Sequence, residues 1–299
     1  MEIRTFAATS PAVNFRRGIP AADLLRFGWG NGKLHSGIAH FSLPAGWACP
    51  GARACLAKAT EKAPGKWGVE DGPEVEFRCF SASEEARYPQ VREIRWQNFG
   101  TLKRYADRER THADKANAMA ALILASLPTL SSPFDGFSVA GTAYKLVCRL
   151  HVGGDFFSQD YFDAWLAVCG VRPDLLAYGY TKSLNFWVRR LDALPRNLVL
   201  TASEGGRHDA LIAEHGLRSA RVVFSEAEAA ALGLELDNDD SHAMRHGRSF
   251  GLLVHGPQPA GSPASKAVAA QRAAGDFGYG KKARRIRSAR VALPVVAAL

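Results

Sequence analysis

Three cysteines in the first third of the chain, Cys49, Cys55 and Cys79, have the type and placement of metal ligands. Cys49 and Cys55 flank a Pro–Gly turn, which is expected to bring their sulfurs together. Cys79 follows after 23 intervening residues, against five between the first two. Three thiolates can hold an iron–sulfur cluster with one open iron, or a zinc ion with a fourth ligand from elsewhere. Buried structural cysteines are the alternative interpretation.

The chain has five cysteines, and an odd number argues against a disulfide framework. Cys148 lies in an apolar segment and Cys169 on the apolar side of a helical pattern, so we expect both in the core. The cations near the first three cysteines are Arg53, Lys58 and Arg78. We expect these cations to lower the pKa of the thiols.

A second group of polar residues follows the predicted strands, one cluster at the carboxyl end of each. The group consists of Gly153, Gly154, Asp155, Thr181, Lys182, Ser203 and Glu204. Ligands bind at this edge of parallel sheets, so we expect these residues to converge on one rim. Lys182 and Glu204 are candidates for orienting a substrate or moving protons. The alternative is that the group only caps helices and forms turns.

The elements that position these residues alternate between strand and helix. Strands are predicted at 38–43, 146–152, 175–180, 197–200, 221–224 and 250–254, and helices at 83–127, 158–169, 186–191, 208–215 and 226–232. This alternation predicts an α/β fold with a parallel sheet of repeated βα units, a partial or full TIM-like barrel. We divide the chain into an irregular N-terminal segment (1–36), a βα-repeat domain (37–256) and a C-terminal extension with a basic tail (257–299).

Positive charge is concentrated near the C-terminus. The six cations of the tail are Lys281, Lys282, Arg284, Arg285, Arg287 and Arg290, and no acid lies among them. The net charge of +9 falls to +9 − 6 = +3 without them. Such a tail can neutralise phosphates and predicts contact with nucleic acid. A solvated tail that aids solubility is the alternative.

Other stretches restrict the class of protein. No run of 18 apolar residues occurs and the N-terminus has no apolar signal core, so we expect no membrane partner and a cytoplasmic location. An acidic run at 237–240, followed by His242 and His246, could bind a divalent metal. A solvated acidic loop is the favoured interpretation of that run.

Several stretches resemble the gene product 88 family of phages. They are residues 41–52, 79–82, 149–158, 180–183 and 195–198, together with Tyr161 and Trp165. The resemblance covers about residues 37–225 and implies a phage, prophage or plasmid origin without implying a reaction.

A more distant resemblance is to the radical S-adenosylmethionine enzymes, in which three cysteines after the first strand bind a four-iron cluster. In those enzymes a Gly-Gly-Glu-Pro turn contacts the amino group of the cofactor, and Gly153-Gly154-Asp155 is similar to it. The resemblance implies a [4Fe-4S] cluster on the three cysteines and S-adenosylmethionine beside Asp155, Thr181 and Ser203. The cysteine spacing departs from the usual three and two intervening residues, and an insertion before Cys79 would explain the longer gap.

Three functions remain open from the sequence. The first is an iron–sulfur enzyme with a radical-type partial barrel, acting on nucleic acid or nucleotides. The second is a non-catalytic DNA-binding protein whose cysteines are structural or bind zinc. The third is a cluster-free, metal-dependent hydrolase or transferase that uses the same rim.

Overall fold

The computed structural model describes residues 18–128, 137–139 and 141–275. The strands are β1 (Gly28–Trp29), β2 (Ala39–His40), β3 (Ala57–Ala63), β4 (Lys66–Asp71), β5 (Phe137–Val139), β6 (Thr142–Tyr144), β7 (Leu146–Leu150), β8 (Leu175–Thr181), β9 (Leu198–Ser203), β10 (Ser219–Val223) and β11 (Phe250–Leu253). The α-helices are α1 (Phe80–Arg87), α2 (Pro89–Asp107), α3 (His112–Ser126), α4 (Gln159–Val171), α5 (Leu184–Trp187), α6 (Ala210–Glu214), α7 (Glu226–Ala231) and α8 (Pro263–Ala273). Short 3-10 helices occupy Ala21–Asp23 and Val188–Ala193.

The main sheet has seven strands in the order β1-β2-β7-β8-β9-β10-β11. Only the β1–β2 pair is antiparallel, and the other five pairs are parallel. The prediction of an α/β fold with a mostly parallel sheet is therefore confirmed. From β2 onward each strand of this sheet lies beside its predecessor, so the sheet is wound in one direction only. Right-handed crossovers that always advance in the same direction place their helices on the same face.

The two faces of the sheet have different partners because successive strand residues point to opposite sides. On β7, Leu146, Cys148 and Leu150 face a large core that includes Trp165 of α4 and Ile123 of α3. The alternate positions face a smaller core. That second core contains Val147, Leu176, Tyr178, Val199 and Phe250, closed by Ala243 and Met244 from the segment before β11.

The segment 83–127, predicted as one helix, forms three. The Tyr88–Pro89 junction separates α1 from α2, because a proline lacks the amide proton that a continuous helix needs and suits the first helical turn instead. Thr111 separates α2 from α3 by accepting a hydrogen bond from the Asp114 amide as an N-cap. The helix predicted at 158–169 is confirmed, with Ser158 as its N-cap.

Some elements of the structure were not predicted from the periodicity of the sequence. β1 pairs with β2 from within the segment predicted to be irregular. The β3–β4 hairpin occupies the interval between Cys55 and Cys79, and α8 follows β11 inside the predicted C-terminal extension. Within the described ranges, no helix has both the length and the apolar composition that a membrane crossing requires.

Candidate functional site

A cavity of about 360 Å³ opens at the carboxyl edge of the parallel strands. The predicted site residues that line it are Cys49, Cys55, Cys79, Gly153, Gly154, Asp155, Thr181, Lys182 and Ser203. The structure therefore brings together the three thiols, the Gly-Gly-Asp turn after β7 and the polar ends of β8 and β9. Glu204 does not line the cavity: its carboxylate accepts a hydrogen bond from Ser219 Oγ at 2.7 Å, on the side of β10.

The loop that carries Cys49 and Cys55 is held by backbone contacts. Ala54 donates to the Gly205 carbonyl at 2.8 Å, and Arg207 donates to the Gly51 carbonyl at 2.9 Å. Gly51 packs directly on β8: a Cβ at this position would lie 2.1 Å from the Lys182 carbonyl oxygen. Glycine is required here because any side chain would push the cysteine loop away from the end of β8.

Cys79 reaches the same cavity because the interval before it folds back on itself. In the β3–β4 hairpin, Ala57 pairs with Asp71, and Gly72 donates to the Leu56 carbonyl at 2.7 Å. The excursion thus begins and ends at neighbouring points. Cys79 follows as the N-cap residue of α1. The gap between the second and third cysteines is long in sequence and short in space.

The three thiols are partly buried and influence one another. Burial, the Asp155 charge and the other two thiols raise the pKa of Cys49 well above its usual value. Burial and Cys55 raise the pKa of Cys79 to about 11. Burial also raises the pKa of Cys55, although Lys182 opposes the shift.

The expectation that nearby cations would lower the thiol pKa values is wrong. Arg53 is bonded to Glu74, and Arg78 forms a two-pronged ion pair with Asp71. Lys58 lies over the ring of Trp47, with Nζ 4.3 Å from the centroid. These cations are engaged elsewhere, and desolvation dominates at the thiols.

Asp155 joins the ends of two strands. Its Oδ1 accepts from Thr181 Oγ1 and from the Phe156 amide, both at 2.7 Å, and its Oδ2 accepts from the Lys182 amide at 2.8 Å. Burial raises the pKa of this carboxyl, and the three hydrogen bonds counteract that shift. A carboxylate accepts up to about four hydrogen bonds, so one lone pair of Oδ2 remains.

Lys182 has each ammonium proton directed at an oxygen. Its Nζ donates to the Ser203 carbonyl and to Ser203 Oγ, both at 2.9 Å, and also to the Glu204 carbonyl. The side chain is almost fully buried. Lys182 therefore ties β8 to β9 beneath the cysteine loop and places a fixed positive charge beside Cys55.

His151 also lines the cavity, although the sequence singled it out only as one of several histidines that could act as bases or metal ligands. It has a left-handed backbone, with φ of 56°, two residues before the first glycine of the Gly-Gly-Asp turn. Its Nε2 is 3.0 Å from the Tyr161 hydroxyl, while Nδ1 is buried and has no hydrogen-bond partner among the residues that the structure describes. Burial and Arg149 lower the pKa of His151 to about 3, so the imidazole is neutral at physiological pH.

The acidic run at 237–240 is the predicted solvated loop only in its middle, at Asn238 and Asp239, whereas Asp237 and Asp240 are buried. Asp240 is fully buried and pairs with Arg149 and, at 2.6 Å, with Lys33. Burial opposes ionisation, but Arg149 and Lys33 hold the pKa of Asp240 to about 2. Arg149 and Lys33 also line the cavity. Because two cations already pair with the Asp240 carboxylate, a divalent metal is disfavoured at this residue.

The remaining predictions concern ligands and the tail. Cys148 and Cys169 are fully buried in the large core, as predicted. Among the residues that the structure describes, no group of three or more His, Cys, Asp or Glu side chains is arranged to hold a single metal ion. The basic tail predicted to contact nucleic acid (Lys281, Lys282, Arg284, Arg285, Arg287 and Arg290) lies outside the described residues.

The fold and the cavity define an α/β protein whose mostly parallel sheet is wound in one direction and carries three thiols at its carboxyl edge. The family model described as "Gene product 88" matches residues 21–275, and the chain belongs to this family. Comparison with curated proteins gave no match, and comparison with solved structures gave none either.

Proposed function

We propose that this chain is an iron–sulfur enzyme with a radical-type partial barrel, which acts on nucleic acid or nucleotides. The observation that supports this most is the shared cavity of Cys49, Cys55, Cys79 and the turn that ends in Asp155. A sheet wound in one direction, with its ligand-binding loops on one edge, is consistent with part of a barrel.

The chemistry of the donor set fits a cluster. Three thiolates can bind three irons of a [4Fe-4S] cluster and leave the fourth iron open to a second ligand. In this cavity the free thiols have raised pKa values, so ionising all three without a counter-charge is costly. Iron ions supply that counter-charge and displace the thiol protons, as metal binding does generally. With S-adenosylmethionine bound, the cluster supplies one-electron chemistry.

In this proposal the other rim residues position the cofactor and hold the charged side chains of the rim in place. Gly153 and Gly154 line the cavity and would present their backbone to a cofactor, while the absence of a Cβ leaves room for Arg95 and Leu43 behind them. The remaining lone pair of Asp155 Oδ2 would accept a hydrogen bond from the cofactor's ammonium. Thr181 and Ser203 keep Asp155 and Lys182 in place through the hydrogen bonds described above. The positive charge of Lys182 stabilises thiolate at Cys55.

Metal analysis of anaerobically reconstituted protein tests the proposal. We expect about four irons per chain, brown colour and charge-transfer absorbance. The variants Cys49→Ala, Cys55→Ala and Cys79→Ala should each lose most of the iron, whereas Cys169→Ala keeps it. A colourless, iron-free wild type, or iron that persists in the three variants, would contradict a cluster. Zinc at one ion per chain would instead support the alternative of a zinc-bound trio.

The basic tail is a proposed contact for nucleic acid, supported by its six cations without an acid. Its contribution is electrostatic and independent of base sequence. It would increase the local concentration of a nucleic-acid substrate.

A further inference from the structure

We propose that an exposed aromatic surface, formed by Trp47, Trp96, Trp67, Lys58 and Arg92, binds single-stranded nucleic acid. We call these five residues the tryptophan surface. It lies in the described part of the chain, separate from the basic tail, and the proposal does not depend on the presence of a cluster.

Helix α2 supplies one side of this surface. Arg92, Trp96, Phe99 and Lys103 are spaced by four, three and four residues, which places them along one stripe of the helix. The Trp96 ring contacts Trp47 of the cysteine loop, with centroids 5.8 Å apart at 56°. On its other side Trp96 meets Phe99 edge-on at 6.0 Å. The rings therefore form a continuous row across two elements.

These rings face water, unlike those of Trp165 and Trp187, which are buried. Trp47 is 45% exposed and Trp96 is 37% exposed, whereas Trp165 is fully buried in the core. Adjacent exposed tryptophans leave apolar area in water, and such patches mark interaction sites. A partner that covers the flat ring faces would recover this free energy.

The cations in and beside the tryptophan surface lie close to aromatic rings. Lys58 Nζ is 4.3 Å from the Trp47 centroid, and Arg92 Cζ is 3.8 Å from that of Trp67. Lys103 Nζ lies 5.7 Å from the Phe99 centroid. Among the described residues, none of these three cations forms an ion pair with a carboxylate. Their ring contacts leave their charge without a neutralising carboxylate in this part of the chain, so an anionic partner can pair with it.

A surface that binds single strands has two components: aromatic rings, on which bases stack, and cations, which bind the phosphates. A single strand exposes the faces of its bases, whereas a duplex buries them in its own stack. A protein partner would use the rings but has no general need for the cations. Charge and aromatic character together thus favour a single strand over either alternative.

Fluorescence anisotropy with the full chain and a labelled single-stranded DNA of about 15 nucleotides tests the proposal. Trp47→Ala and Trp96→Ala should each weaken binding about 5- to 100-fold, since each removes a stacking platform. Trp96→Phe keeps a ring and should recover much of the affinity. Trp29→Ala is the matched control, because Trp29 is equally exposed, at 45%, but belongs to β1.

Two further measurements separate stacking from simple charge attraction. Lys58→Gln should lower the slope of log affinity against log salt by about 0.7 for one lost phosphate contact. Heparin, a polyanion without bases, should bind equally to wild type and Trp96→Ala. The proposal is overturned if the wild type does not bind the single strand, if Trp29→Ala weakens binding as much as Trp47→Ala, or if the tryptophan variants lose heparin binding in parallel.

Discussion

The individual side chains of the cavity differ in how much freedom their partners leave them. Asp155 accepts three hydrogen bonds and Lys182 donates three, so both are fixed before any ligand arrives. The thiols, by contrast, are weak acceptors of backbone hydrogen bonds: Cys49 Sγ accepts from the Gly46 amide at 3.3 Å, and Cys79 accepts from the amides of Ser81 and Ala82. The thiols are therefore the groups of the rim whose environment a metal would change most.

At the scale of single residues, His151 makes the free energy of unfolding depend on pH. Its pKa of about 3 in the folded state lies below the ordinary value of 6.5, so the unfolded chain binds the proton more readily. The contribution of neutral His151 is complete above pH 6.5 and is lost as the pH falls toward 3. Between about pH 8 and pH 5.5, the free energy of unfolding should drop by about 1.4 kcal/mol from this group. Urea unfolding at both pH values measures the drop.

Two variants assign that dependence to the imidazole. His151→Asn tolerates the left-handed backbone and should flatten the pH dependence by about 1.4 kcal/mol. Tyr161→Phe removes the hydroxyl beside Nε2 but keeps the titrating ring, so it should lose stability and retain the dependence. An unchanged pH profile in His151→Asn would show that the group does not control it.

The sequence could identify the rim residues but not all their roles. The strand-end rule found Asp155, Thr181 and Lys182 because the carboxyl ends of parallel strands must meet. It could not find the buried Arg149–Asp240 pair, whose members are 91 residues apart and come from different elements. A run of acids is usually solvated, and only tertiary structure supplies the cations that allow its burial.

At the scale of elements, the site depends on how closely the cysteine loop approaches β8. Gly51→Ala should displace this loop, because the added methyl would lie 2.1 Å from the Lys182 carbonyl oxygen. We expect the iron content of reconstituted protein to fall at least twofold, and stability to fall by about 1–3 kcal/mol. Gly100→Ala on α2 is the control, since nothing lies within 4 Å of its added Cβ. Equal iron in both variants would contradict a positioning role for Gly51.

The strand–helix alternation after residue 145 was readable from sequence because short apolar runs, each closed by a polar cluster, alternate with helical patterns that have clear caps. Ser158 and Ser225 both cap the helices that follow them. The β3–β4 hairpin was not predicted as strands, because its outer half is polar on both faces and lacks an alternating pattern. Its lysines and glycines are nonetheless typical of a segment at the surface.

At the scale of the whole molecule, the chain has two proposed contacts for nucleic acid with different physics. The tryptophan surface contributes stacking, and the tail contributes charge. Deleting residues 281–299 should lower the salt slope of single-strand binding by up to about 4, from six cations at about 0.7 each. Anisotropy titrations at several salt concentrations measure this slope. A slope that is unchanged by the deletion would reject the tail as a contact.

The strand pairing at the open end of the β3–β4 hairpin also affects how related chains should be recognised. Because Ala57 and Asp71 are partners across the hairpin, residues between them can lengthen, shorten or vanish while Cys55 and Cys79 keep their separation in space. A search pattern with fixed cysteine intervals would overlook such chains. A fluorescent or affinity tag placed at Gly65, in the hairpin's turn, where no atom lies within 4 Å of an added Cβ, should leave the rim intact.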